Sequence, residues 1–221
     1  MRQIRLLSAA GFLTIATFAA ILFAACAKNK CAGVTCNNGG TCVSGSCSCA
    51  TGFSGSRCDL IALYYQNNTY TNVSITFNGT TLNVPPGATE ALYGTPGTTA
   101  TGSASTHGLY GNVYSWALSD IFPANGTPFT HQLNVGADYF FLQVSNIDVY
   151  PVNYLTVNYG TPEQTVEQVS LQADRQAYGV GYYKWVFNSV IIAKFSDGHS
   201  ITTDSLSIPG TLNSNILLSL P

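Results

Sequence analysis

Beyond residue 59 the chain reads as short runs of β-branched and aromatic residues separated by turn residues, with a period of two rather than 3.6. Val73, Ile75 and Phe77 alternate with Ser74 and Thr76, and the run meets Asn78-Gly79 before Thr81–Val84 begins. Asn-Gly between two such runs is a strong short-range hairpin signal, because both positions of the tight turn need positive φ. Asp197-Gly198 marks a second hairpin. The same grammar predicts strands over Ile61–Tyr65, Thr89–Tyr93, Thr98–Ser103, Val113–Leu118, Phe129–Val135, Tyr139–Val144, Asn153–Asn158, Thr165–Leu171, Val186–Phe195, Ser200–Thr203 and Ile216–Leu220. Only Thr161–Ala177, with its Glu and Gln content, tolerates a helical reading.

Many strands at this spacing imply an all-β fold, an immunoglobulin-like β-sandwich formed once at large size or twice in tandem. An internal repeat bears on that choice. Tyr64-Tyr-Gln-Asn67 followed by Ile75-Thr-Phe-Asn78 is similar to Gln143-Val-Ser-Asn146 followed by Leu155-Thr-Val-Asn158. The offset of about 80 residues suits one sandwich, which places a repeat boundary near residue 137. Chance likeness between Thr- and Asn-rich strands accounts for the match equally well, so both readings stay open.

The N-terminus follows another pattern. Arg2 and Arg5 precede a run from Leu6 to Ala25 without a charge. That is long enough to span a bilayer as a helix, but its position and its small-residue end fit an export signal over residues 1–25. Leu22-Phe23-Ala24-Ala25-Cys26 resembles the lipobox of bacterial lipoproteins, with Phe23 where Leu, Val or Ile is commoner. The resemblance implies that Cys26 becomes the acylated first residue, carrying palmitate-type chains, with 26–30 as a lipidated tether. Each buried methylene contributes about 0.8 kcal/mol, and two or more chains make the anchor stable. Two alternatives remain: cleavage after Ala27, releasing a soluble secreted chain from Lys28, and a retained anchor.

Six further cysteines lie between Cys31 and Cys58, and none follows. Behind an export signal such a cluster reads as a disulfide framework, and the absence of any CxxC pair argues against a zinc ribbon. Six cysteines permit 15 connectivities, among which spacing does not choose. The run Cys31-x4-Cys36-Asn-Asn-Gly-Gly-Thr-Cys42-x4-Cys47-Ser-Cys49-Ala-Thr-Gly52-Phe53-Ser-Gly55-x2-Cys58 resembles an EGF-like module over its whole length. That resemblance implies the pairs Cys31–Cys42, Cys36–Cys47 and Cys49–Cys58, and a spacer or contact role without catalysis. Calcium-binding members carry acidic or amide residues before the first cysteine, whereas Lys28-Asn29-Lys30 stands here. The module at 31–58 is thus expected to be a stiff stalk.

Composition and charge narrow the partners. Only 8% of the 221 residues are charged, against roughly a quarter in ordinary soluble domains. Residues 59–221 hold ten acidic residues and three basic ones, a net charge of −7. Such a domain is repelled by nucleic acid and by anionic lipid, which leaves the acyl group as the membrane contact. In composition and turn chemistry it is similar to lipoproteins of Bacteroidota-type bacteria.

No HExxH, GxSxG, P-loop or GxGxxG-before-helix pattern occurs. His107, His131 and His199 lie far apart in sequence and read as solvated loop residues rather than metal ligands; no metal or cofactor is implied. Glu90, Asp138, Glu163 and Glu167 are the carboxylates from which a glycosidase pair would come. The aromatics are the stronger lead. Trp116, Tyr182, Tyr183 and Trp185 stand near predicted loops, Gly179 and Gly181 flank the latter cluster, and alternation there predicts one aromatic pair buried and one exposed for ligand contact. Asp204-Ser205-Leu206 resembles the O-glycosylation acceptor of Bacteroidota-type bacteria, which makes Ser205 a candidate. Asn67, Asn72, Asn78 and Asn125 fit the N-x-Ser/Thr acceptor, as expected in so Asn- and Thr-rich a chain.

The sequence therefore predicts an outer-membrane lipoprotein, facing the periplasm or the surface, with a non-enzymatic adhesion or glycan/peptide-binding role. A structural envelope component without soluble ligand is the alternative, and a carbohydrate-active enzyme the third. An intact mass of the protein from its native envelope is expected to equal the chain from Cys26 plus acyl groups, rising by six hydrogens on reduction. A mass matching the chain from Lys28 removes the tether.

Overall fold

The computed structural model describes residues 30–110, 113–203 and 214–221. The segment 1–29, with the apolar run and Cys26, lies outside the described residues, as does Ser205. The chain divides into two compact units, 1–60 and 61–221. It is all-β, with no helix among the described residues.

In the first unit β1 (Thr41–Val43) and β2 (Ser46–Ser48) form an antiparallel hairpin with Cys42 opposite Cys47. Ser44 and Gly45 close it with φ of 54° and 95°. A two-residue strand, β3 (Phe53–Ser54), follows. Disulfides join Cys31–Cys42, Cys36–Cys47 and Cys49–Cys58. Among this unit's described residues only Gly52 and Cys58 are buried. With so little core, the cross-links carry the stability, each contributing about 2–3 kcal/mol by shortening the unfolded chain's reach. The Asn37–Gly40 run has a job at each position. Asn37 N–H donates to Arg57 O at 2.8 Å, and Asn38 Nδ2 donates to Cys58 O at 2.7 Å. Gly39 turns at φ 75°, and a Cβ on Gly40 would stand 2.7 Å from Cys58 Sγ.

The described residues of the second unit form fourteen strands in two successive sets of seven. The first set is β4 (Leu60–Asn67), β5 (Val73–Phe77), β6 (Thr80–Val84), β7 (Thr89–Gly94), β8 (Thr99–Thr106), β9 (Tyr114–Ile121) and β10 (Phe129–Leu133). The second is β11 (Tyr139–Asn146), β12 (Val152–Val157), β13 (Thr165–Leu171), β14 (Ala177–Lys184), β15 (Ile191–Phe195), β16 (Ser200–Thr202) and β17 (Ser214–Leu220). In the first set one sheet runs β7-β4-β10 and the other β6-β5-β8-β9. In the second set the orders are β14-β11-β17 and β13-β12-β15-β16, the same topology strand for strand. Even the parallel pairing recurs, β10 beside β4 and β17 beside β11. Lettered A to G, each set divides as DAG and CBEF, a different partition from the ABED and CFG of an immunoglobulin constant domain.

Each set packs as a sandwich. Phe140, Leu142, Val144 and Val180 from one sheet share a core with Val152, Leu155, Leu171, Ile191 and Phe195 from the other. In the first set Tyr65 reaches from β4 across to Phe77, ring centroids 5.7 Å apart, and donates its hydroxyl to Asp120 on β9 at 3.0 Å.

A buried asparagine bracket repeats with the fold. Asn67 Nδ2 donates to Thr71 O and Val84 O at 2.8 and 2.7 Å, and its Oδ1 accepts from Thr69 N–H at 2.8 Å. Asn146 Nδ2 donates to Tyr150 O and Leu171 O at 2.9 and 3.2 Å, and its Oδ1 accepts from Asp148 N–H at 3.1 Å. Both side chains are fully buried. Each ties the end of its sheet's central strand to the end of a strand in the facing sheet. The turn asparagines recur too, Asn78 at φ 47° and Asn158 at φ 59°.

The strand expected over Thr165–Leu171 is β13, and the helix tolerated over 161–177 is absent, since Val169 and Leu171 are claimed by the sandwich core. Two local expectations need correction. The run 186–195 is not one strand, because a turn precedes β15. Most consequentially, Ala177–Lys184 is a strand that its two glycines disguise as a loop. A Cβ on Gly179 would stand 2.7 Å from the Phe141 ring, at a register shift between Leu142 and Gln143 of the neighbouring strand. Glycine inside a strand here marks close approach at a bulge.

Truncating either bracket leaves buried backbone groups without partners. Asn67→Ala and Asn146→Ala are each expected to cost about 2–3 kcal/mol in denaturant unfolding. A loss below about 0.5 kcal/mol for either, the scale of ordinary surface changes, would show that the bracket is not what closes the sandwich.

Candidate functional site

A hollow lined largely by polar side chains and tyrosines forms where the two sandwiches meet. It is a cleft of about 340 Å³ lined by Tyr114 and Ser115 from β9, Tyr139 from β11, Glu163 and Thr165 at the start of β13, and Tyr182, Tyr183 and Lys184 at the end of β14. That volume lies at the lower end of the roughly 300–1,000 Å³ of small-molecule sites.

Its walls are fixed by how the sandwiches dock. Tyr182 OH accepts from Tyr70 N–H at 3.1 Å and from Thr71 Oγ1 at 3.2 Å. Tyr70 stacks on Phe141 with centroids 5.4 Å apart and planes 7° from parallel. Tyr114 OH accepts from Gly136 N–H at 3.1 Å, and the Tyr114 ring meets Tyr139 edge-on at 4.5 Å. On the outer edge of β14, Leu109 and Tyr110 N–H donate to Gly179 O and Val180 O at 2.8 and 2.9 Å. That approach demands glycine at 108, where a Cβ would lie 2.2 Å from Val180 O.

The charged pair at the cleft is held from behind. Asn158 Nδ2 donates to Lys184 O at 2.9 Å and to Glu163 O at 3.4 Å, while Ser189 Oγ donates to Asn158 Oδ1 at 2.6 Å. Lys184 Nζ then meets Glu163 Oε1 at 2.8 Å. The hydrogen bond and charge of Glu163 raise the Lys184 pKa above its ordinary value. Tyr183 stands apart from the other tyrosines. It is 2% exposed, and its hydroxyl has no hydrogen-bond partner. Burial, and secondarily the charge of Glu167, push its phenol pKa up. Glu167 is itself raised by burial.

Of the sequence-selected aromatics, Tyr182 and Tyr183 line the cleft, and Trp116 and Trp185 are absent from its lining. Trp116 lies inside β9, half-buried beside Tyr114 at 5.3 Å, rather than near a loop. Trp185 packs partly buried against the second core, with its Nε1 buried and unpartnered. Alternation does not expose a pair at Tyr182-Tyr183: both are buried, at 3% and 2% exposure, because both faces of β14 are covered. Tyr183 faces the second sandwich's core and Tyr182 the junction cluster of Val135 and Phe141. Sequence reading missed Tyr114 and Tyr139, which nothing local distinguishes from other strand tyrosines. It also gave Glu163 no partner.

The histidines lie apart, and the described residues hold no group of three His, Cys, Asp or Glu side chains suited to a metal. His131 is no loop residue; it sits on β10 with Nδ1 2.9 Å from Asp120 Oδ1. His199 stacks on Phe195 at 4.2 Å and pairs with Asp197 at 2.6 Å. A second hollow of about 510 Å³, lined by Ile121, Pro123, Pro128 and Phe129 among others, is shallow and mostly apolar. The fold and the cleft together define a tandem β-sandwich protein with a tyrosine-walled hollow at the sandwich junction.

No protein-family model matches the chain, and no curated protein does. Among solved structures, one titled "The Bacillus anthracis TIE protein" aligns with 72% of this chain and 32% of its own, at 10% identity and a TM-score of 0.26. The chain thus spans about a third of that structure's length.

Because the folded state raises the Glu167 pKa, ionising this group opposes folding above the ordinary glutamate range, and stability from it falls as pH rises through the folded pKa. Glu167→Gln is therefore expected to raise the melting temperature at pH 7 and leave it unchanged at pH 3.5. An equal shift at both values would assign the effect to packing instead.

Proposed function

We propose that this chain is a cell-envelope lipoprotein that binds glycan, without catalysis, in the cleft between its two sandwiches. The observation that carries the reading is the cleft wall: half-buried Tyr114 and Tyr139 beside a paired lysine and glutamate, with Ser115 and Thr165. Tyrosine offers a rigid apolar face for a sugar ring and a polar edge for its hydroxyls. The ion pair adds donors and acceptors that remain in contact with water, with both side chains about half exposed.

The other parts follow from the sequence. Cys26 carries the acyl anchor and the chain sits in the outer membrane. Residues 31–58 are an EGF-like stalk, whose three disulfides suit a protease-exposed envelope. Ser205 is the first position for an O-linked glycan. The net charge of −7 on residues 59–221 supports a partner other than nucleic acid or anionic lipid.

A combined glycan and peptide array with the full chain tests this. Binding is expected among glycans, falling at least tenfold in Tyr139→Ala and unchanged in Phe129→Ala, a 54% exposed residue outside the cleft lining. Hits confined to peptides, or an unaffected Tyr139→Ala, would overturn the proposal.

A further inference from the structure

We infer that the cleft selects an uncharged sugar unit and rejects its acidic counterpart. This rests on the glycan reading above and specifies its ligand class.

The first argument is electrostatic. Among the described residues Lys184 is the only cation lining the cleft, and Glu163 already neutralises it at 2.8 Å. A uronate approaching Lys184 meets the Glu163 carboxylate already seated on the same ammonium. It does so within a domain of net charge −7, with Asp138 also acting on Lys184. An uncharged sugar leaves the pair intact, and a paired ammonium and carboxylate still have N–H donors and lone pairs for hydroxyl groups.

The second argument comes from the phenols. Tyr114 accepts the Gly136 N–H, which leaves its own proton to donate. Tyr139 stands beside it, the two rings edge-on at 4.5 Å. Tyr183 offers the cleft no hydroxyl, because that group is buried and its ring faces the second core. The accessible wall thus presents neutral phenols, matched to hydroxyl or carbonyl oxygens. The volume of about 340 Å³ accommodates a sugar unit of a longer chain rather than a folded segment.

The test titrates the full chain calorimetrically with matched trisaccharides of gluco and galacto configuration: neutral, N-acetylated and uronate forms. Neutral or N-acetylated forms are expected to bind, and their uronate counterparts at least tenfold more weakly. Tyr114→Phe should weaken the best neutral ligand about tenfold, the worth of one hydrogen bond. Glu163→Gln frees Lys184 and should bring the uronate within tenfold of the neutral form. Equal or tighter binding of a uronate to the unmodified chain, or undiminished affinity in Tyr114→Phe, overturns the inference while the glycan reading stands. Binding of no trisaccharide, together with an empty glycan array, overturns both.

Discussion

The docking of Tyr182 against the loop after β4 is the contact on which the second unit's organisation turns. One phenol oxygen takes the backbone N–H of Tyr70 and the hydroxyl of Thr71, while its ring lies beside Phe141, which Tyr70 covers. A loop of the first sandwich is thereby fixed on the first and fourth strands of the second. Gly108 lets a second segment of the first sandwich run along the free edge of β14 and take up its carbonyls. An exposed strand edge is a liability in any sheet protein, and here it is covered from within the chain. The cleft is what remains where those two attachments stop.

The two sandwiches share a frame but have diverged where they differ in burden. Both keep the buried asparagine that pins the central strand, and both keep the left-handed asparagine at the first hairpin. At the register position where the first sandwich pairs Tyr65 with His131, the second pairs Val144 with Leu218. A Tyr–Asp–His network therefore occupies one core and an apolar pair the other. The loops diverge as well. Tyr70 is stacked on Phe141, whereas its counterpart Val149 is 80% exposed. The second asparagine of the turn pair took on further work: Asn158 holds the main chain of both Lys184 and Glu163, so a turn residue positions the cleft's ion pair.

Legibility in the sequence followed the range of the interaction. Asn78-Gly79 predicts its hairpin because the required φ values belong to those two residues alone. Val73–Phe77 is readable because its alternation matches a half-buried strand. β14 was not readable: Gly179 and Gly181 break its apolar run, and the reason for Gly179 is a phenylalanine some forty residues earlier. Tyr182 and Tyr183 attract attention as a pair, yet their burial depends on two bodies closing over opposite faces of one strand. Tyr114 and Tyr139 carry no local mark and join the site only through the junction.

By itself the sequence determined the all-β class, the division into a cysteine-dense segment and a cysteine-free one, the tight turns and the acidic balance. Each of these depends on residue type or on neighbours a few positions apart. The tertiary structure decided the identical strand order of the two sandwiches, the burial of Tyr183 with an unpartnered hydroxyl, and the meeting of Lys184 with Glu163. Those depend on which surfaces meet after the strands have formed. Period-two alternation assigns a side chain to a face, but only packing decides whether that face is covered.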